Sequence, residues 1–125
     1  RHVGGKEMAL KIDCRHDVLL VTVKGDFDLV SAAEFRLKVD RAIQDLQPKN
    51  LIMDLSKVTF IDSSGLGVIL GRLKQIQGRK GKLILTGVRP EVKKVLEISG
   101  IMPLLYLCPT EAMAMELLRK GAVKK

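Results

Sequence analysis

The sequence predicts an α/β domain, and three observations carry that prediction. Two strand-like runs near the start are separated only by Arg15-His16-Asp17, which reads as a β-hairpin. After them, short apolar runs alternate with stretches of helical periodicity, the pattern of strands joined by crossover helices. Finally, the chain is 46% hydrophobic but only 3% aromatic. A core of Leu, Val, Ile and Met suits parallel strands covered by helices. The hairpin makes one strand pair antiparallel, so the expected sheet is mixed.

Residues 8–14 alternate, with Met8, Leu10, Ile12 and Cys14 on one face and Lys11 and Asp13 on the other. Residues 18–23 form the second strand, ended by Gly25 and Asp26. Asp28 leads into a helix that Ser31 is expected to cap, with Glu34 completing a capping box. Its stripe is Phe35, Val39, Ala42, Ile43 and Leu46, and Pro48 stops it. Residues 51–55 are apolar on both faces and predict a central parallel strand. A second helix follows Gly65 with Leu66, Ile69, Leu70, Leu73 and Ile76 inside and Arg72, Lys74 and Gln75 outside, ending at Gly78 or Gly81. Residues 83–85 give a fourth strand. Pro90 opens a third helix carrying Val92, Val95, Leu96 and Ile98, which runs to Gly100. Residues 104–107 give the last strand. Thr110 caps a last helix with Ala114, Met115, Leu117 and Leu118 apolar, and Glu111 and Arg119-Lys120 match its dipole.

The 125 residues suffice for one self-supporting core. The expected domain spans residues 8–120. Residues 1–7 lack periodicity and read as disordered or as an expression leftover, with Met8 a natural start, and residues 121–125 read as a flexible basic tail. No run reaches the roughly 18 apolar residues of a membrane span, and no secretory leader is seen, so no membrane association is expected. Cys14 and Cys108 stand in no ligand spacing and read as reduced, packed thiols, which suits a cytoplasmic location. The formal charge is +8, densest at Arg79-Lys80-Gly81-Lys82 and at Arg119-Lys120 with Lys124-Lys125. With one tyrosine, no tryptophan and no nucleic-acid-binding motif, that charge is expected to meet an acidic partner, not nucleic acid.

Enzyme signals are thin. No Walker A run, dinucleotide fingerprint or metal-ligand pattern occurs, so no cofactor and no metal are expected. Gly65-Leu66-Gly67 lacks the third glycine and the downstream acid of a dinucleotide site. His16 reads as a surface histidine in a turn. Neither Asp54 nor Asp62 has the base or ligand set of a hydrolase. The informative segment is Asp62-Ser63-Ser64-Gly65-Leu66-Gly67 at the start of the second helix. Asp62, Ser63 or Ser64 can cap that helix. Gly65 and Gly67 remove side chains where the helix must pack closely or a partner must approach. One serine is surplus to capping, and its hydroxyl at the positive end of a helix is a favourable place for a phosphoryl group. A plain helix cap explains the same residues equally well.

The stretch 59–72, Thr-Phe-Ile-Asp-Ser-Ser-Gly-Leu-Gly-Val-Ile-Leu-Gly-Arg, resembles the phosphorylation segment of STAS-domain anti-sigma factor antagonists, most closely their sporulation members. The resemblance runs from Met8 to about Leu118. Lys24-Gly25-Asp26-Phe27-Asp28 stands where the family has a Gly-Glu-Leu-Asp-like turn, and residues 92–100 match its late helix. It implies the STAS fold, a mixed four- to five-stranded sheet with helices mainly on one side. It implies Ser63 as the phosphoacceptor, with Asp62 and Ser64 as its surroundings and Asp28 beside the site. Asp26, Ser31, Gly65, Leu66 and Gly67 complete the implied partner face. The implied partners are an anti-sigma factor with ATP-dependent serine kinase activity and a resetting serine phosphatase. The chain itself is then substrate and ligand, not a catalyst. Leu29-Val30-Ser31 departs from the two histidines and threonine usual in the closest members, and Asp26 replaces a common glutamate. A different use of the module, as a stress-signalling scaffold or a transporter subunit, is the alternative.

Overall fold

A computed structural model describes residues 9–121. The expectations for residues 1–8 and 122–125 lie outside the described residues. In chain order the elements are β1 (Ala9–Arg15), β2 (Val18–Lys24), α1 (Leu29–Leu46), β3 (Asn50–Lys57), α2 (Ser63–Gly78), β4 (Leu83–Thr86), α3 (Pro90–Ser99), β5 (Tyr106–Cys108) and α4 (Glu111–Lys120), with a 3-10 turn at Met102–Leu104. The five strands lie in sequence order; β1 and β2 are antiparallel and every later pair is parallel. β3 is central, as its apolar run requires.

The same order explains why helices crowd one face. Each parallel strand is added on the same side of its predecessor. Crossovers of one hand then deliver α1, α2 and α3 to the same face of the sheet. There, Leu19, Val21 and Val23 of β2, Leu51, Met53 and Leu55 of β3, and Leu83 and Leu85 of β4 pack against Phe35, Val39, Val68, Ile69, Ile76, Val92 and Leu96. The alternate strand residues Val18, Leu20, Ile52 and Ile84 point the other way. That face is covered by α4, the one helix that is not a crossover, through Ala114, Met115 and Leu118.

Several local expectations are corrected. Helix α1 begins earlier than Ser31: Asp28 is its N-cap, and Ser31 is the third helical residue of the capping box. Glu34 is not part of the cap and pairs with Lys38 instead. Arg72 is buried, not outside, with its guanidinium 3.3 Å from Asp40. The last strand starts at Tyr106 because Met102, Pro103 and Leu104 close a 3-10 turn. Ile98 and Leu46, expected inside, are exposed. Cys108 is buried and Cys14 half-buried, both as free thiols.

Candidate functional site

The site forms where β2 and β3 end side by side and hand the chain to α1 and α2. Loops after adjacent parallel strands are the usual place for a site in such a sheet. Here the two loops are stitched together by backbone. Phe27 donates its N–H to Phe60 O at 2.9 Å, and Asp62 donates its N–H to Phe27 O at 3.2 Å. The Phe27 side chain is fully buried, with its ring 5.2 Å from that of Phe35. An aromatic anchor between two aspartates therefore fixes the loop carrying Asp26 and Asp28 against the loop carrying Asp62 and Ser63.

Each loop ends in an aspartate cap. The Asp28 carboxylate accepts N–H bonds from Val30 and Ser31, both at 3.1 Å. The Ser31 hydroxyl accepts from Asp28 N–H at 2.9 Å and donates to Asp26 O at 2.8 Å. Ser31 thus ties the acidic loop shut instead of presenting a free hydroxyl. The Asp62 carboxylate accepts from Ser64 N–H at 2.8 Å and Gly65 N–H at 3.2 Å. Since Asp62 does the capping, both serines are surplus to it. Ser63, the first helical residue, is exposed, Ser64 is half-buried, and neither hydroxyl has a hydrogen-bond partner among the described residues.

The glycines divide by function. A Cβ on Gly65 would stand 2.6 Å from Phe27 O and 2.7 Å from Ile61 Cγ1. Gly65 is what lets α2 start against the Phe27 loop. A Cβ on Gly67 would meet nothing within 4 Å, so its bareness serves the open surface rather than packing. Leu66 is half-buried and rests on the main core.

Sequence reasoning missed the apolar rim of this site. Leu29 is 69% exposed, Val30 81% and Phe60 50%. All three are within three residues of a capping aspartate or of Ser63. Large apolar side chains left bare beside polar groups mark an interaction surface. The signal was present in the sequence: Leu29 and Val30 follow Asp28 directly, and Phe60 stands two residues before Asp62.

No cluster of three or more His, Cys, Asp or Glu side chains suited to a metal occurs among the described residues. None of their helices is long and apolar enough to cross a membrane. Asp54 accepts Ser56 N–H at 2.9 Å.

Residues 9–114 match the STAS domain family. An anti-sigma F factor antagonist of Paenibacillus polymyxa is 36% identical over 110 residues, which cover 86% of this chain and 94% of that protein. An anti-sigma-B factor antagonist of Listeria monocytogenes is 32% identical over 94 residues, covering 73% of this chain and 79% of that protein. Among solved structures, the anti-sigma factor antagonist SpoIIAA in its unphosphorylated form superposes with a TM-score of 0.79 at 28% identity, over 93% of this chain and all of that one. The phosphorylated form of the Bacillus cell-fate determinant SpoIIAA gives 0.71 at 27% identity, over 89% of this chain and all of that one. A sheet in sequence order, two loops locked at its C-terminal edge and this breadth of similarity lead to one statement: the chain belongs to the STAS-domain family of anti-sigma factor antagonists.

Proposed function

We propose that this chain is an anti-sigma factor antagonist that works by partner switching, with Ser63 as the switch. Unphosphorylated, it binds an anti-sigma factor and frees the sigma factor that factor holds. Phosphorylated, it lets go. The observation that carries the reading is the exposed, unengaged Ser63 hydroxyl at the first position of α2, directly after the capping Asp62. The similarity to SpoIIAA, known in both phosphorylation forms, supports it.

The chemistry asks little of this chain. The partner kinase transfers the γ-phosphoryl of ATP to Ser63 Oγ, ADP leaves, and the hydroxyl proton is taken up by the kinase or by water. A phosphatase hydrolyses the ester to reset the switch. The phosphate brings a charge of about −1.5 to −2 to the Asp62 cap. In the free protein, water and the positive end of α2 accommodate it. In a partner interface the same charge is desolvated beside Asp62 and near Asp28, and affinity falls. Leu29, Val30 and Phe60 provide the apolar part of the interface, and Asp26 and Asp28 its acidic part. No change of fold is required.

Incubation with the cognate kinase and ATP, followed by mass spectrometry, tests the assignment: phosphate is expected on Ser63. Ser63→Ala should bind the partner and resist modification, while Ser63→Asp should fold and fail to bind in calorimetric titration. Phosphate on Ser64 alone, or full affinity of the aspartate variant, overturns the reading.

A further inference from the structure

The basic run Arg79-Lys80-Gly81-Lys82 and the end of α4 come to one pole of the molecule, at the opposite end from Ser63. Helix α2 runs from Ser63 to Gly78. At 1.5 Å per residue its 16 residues put Arg79, Lys80 and Lys82 about 24 Å from the phosphorylation site. The last residues of α4 come to the same pole. Lys49, Lys80 and Lys82 line a cleft of about 120 Å³ whose remaining wall is Asn50, Leu117, Leu118 and Gly121. A neighbouring groove of about 520 Å³ shares Lys49 and Leu118 and adds His16, Asp17 and Arg119.

This cleft is a built feature. Its two lysine-bearing loops are fastened backbone to backbone. Asn50, itself buried, accepts Lys82 N–H through its Oδ1 at 2.8 Å, and Leu51 N–H donates to Lys82 O at 3.0 Å. A Cβ on Gly81 would stand 1.7 Å from Lys49 O, so only glycine lets the loops close. Arg79 reaches across to Gln47 Oε1 and Pro48 O, both at 3.2 Å. Lys80 holds a left-handed backbone, with φ of 61°.

The charges in the cleft are uncompensated. Arg15, Lys38, Arg72, Arg89, Arg119 and Lys120 all have carboxylate partners. Lys49, Lys80 and Lys82 have none among the described residues, and no carboxylate lines their cleft. In the adjoining groove, Glu116 is engaged by Arg119 and Lys120, which leaves Asp17, whose backbone O accepts Lys49 N–H at 2.8 Å, as the one carboxylate there without an ion-pair partner among the described residues. Holding three ammonium groups around one cleft costs self-repulsion that a bound anionic group would relieve.

We infer that this pole is a second docking site, and that it takes an acidic protein segment carrying an apolar side chain. The lysine rim fits carboxylates, and the Leu117–Leu118 wall fits the apolar residue. Neither a bare polyphosphate nor a nucleic-acid backbone has a use for that wall, and the aromatic ring at this pole, Tyr106, is half-buried with Lys82 over it. The site is separate from the Ser63 face, so occupancy does not require an unphosphorylated Ser63.

The test is an NMR titration of the full 15N-labelled chain with a synthetic peptide of alternating Glu and Leu. Sodium tripolyphosphate and a short duplex DNA serve as competing probes. Amide shifts are expected at Asn50, Gly81, Lys82 and Gly121, with Ser63, Ser64 and Gly65 unmoved. K49E/K80E/K82E should weaken the peptide about tenfold or more, since three exposed ion pairs are lost and each is replaced by repulsion. K49Q/K80Q, which leaves Lys82 over the Tyr106 ring, should lose part of that. Absent or scattered shifts, unchanged affinity in the variants, or tighter binding of tripolyphosphate or DNA overturns the inference.

Discussion

At the scale of single residues, the two capping aspartates combine a structural task with an electrostatic one, and the tasks can be separated. Asp62 accepts two N–H bonds at the start of α2 while placing a negative charge next to Ser63. Asparagine caps a helix about as well as aspartate, whereas alanine at a cap costs about 1 kcal/mol. Asp62→Ala should therefore lower unfolding free energy by about that amount in a urea titration, and Asp62→Asn by only a few tenths of it. The charge effect is read in binding. If repulsion from Asp62 opposes phosphoserine in the interface, phosphorylated Asp62→Asn should hold the anti-sigma partner more tightly than phosphorylated wild type. Equal affinities would move the switch from charge to steric exclusion.

At the scale of elements, Gly65, Gly67 and Arg72 of α2 play roles that differ in ways a mutation can read. Gly65→Ala drives a methyl into Phe27 O, a backbone atom that cannot swing aside, and should destabilise by about 1–3 kcal/mol. Gly67→Ala fills open space in a helix and should stabilise by up to about 1 kcal/mol. If the partner lies over Gly67, that variant gains stability and loses affinity, a split that thermal melting and calorimetry together detect. Arg72 is a third case. It lies between α2 and α1, opposite Asp40, and burial pushes its guanidinium down from its ordinary value despite that carboxylate. Its Nε has no hydrogen-bond partner among the described residues. Removing only the carboxylate strands the charge, so Asp40→Ala should cost about 1–2 kcal/mol, moderated by Asp40 being 40% exposed. Arg72→Met replaces charge by apolar volume and should be neutral or stabilising in the same denaturation assay. These elements also show where sequence reading works and stops. The helical spacing already put Arg72 on the face of Ile69 and Ile76, but its charge argued for the outside. Asp28 and Ser31 are both good caps three residues apart, and only the fold decides that the exposed Leu29 and Val30 are helical. The alternation of strands and helices along the chain and the Asp-Ser-Ser-Gly turn were legible because periodicity and cap chemistry agree there, whereas the order of strands in the sheet is not written in periodicity. The Phe27 stitch was not legible either, since it joins loops far apart in sequence.

At the scale of the whole molecule, one sheet separates the proposed switching pole from a basic pole. The C-terminal edge of the sheet holds Asp28, Asp62 and Ser63; the opposite edge holds the cleft of Lys49, Lys80 and Lys82. The link between them is α2, whose core face of Val68, Ile69, Leu73 and Ile76 is buried along its length. Closely packed interiors of this kind resist small displacements. Sites without shared partners and farther apart than about 10 Å usually contribute additively, within about 0.5 kcal/mol. The expected outcome is a flat double-mutant cycle. Ser63→Asp and K49Q/K80Q, each measured alone and together by urea unfolding, should add within about 0.5 kcal/mol. In the binding form of the same cycle, phosphorylation of Ser63 should leave the affinity of the basic pole for an acidic peptide unchanged. Lysine neutralisation should likewise leave phosphate transfer to Ser63 by a kinase docked at the other end intact. A coupling of about 1 kcal/mol or more in either cycle would mean that α2 transmits strain between the poles, and the switch would then be a property of the whole domain instead of one loop.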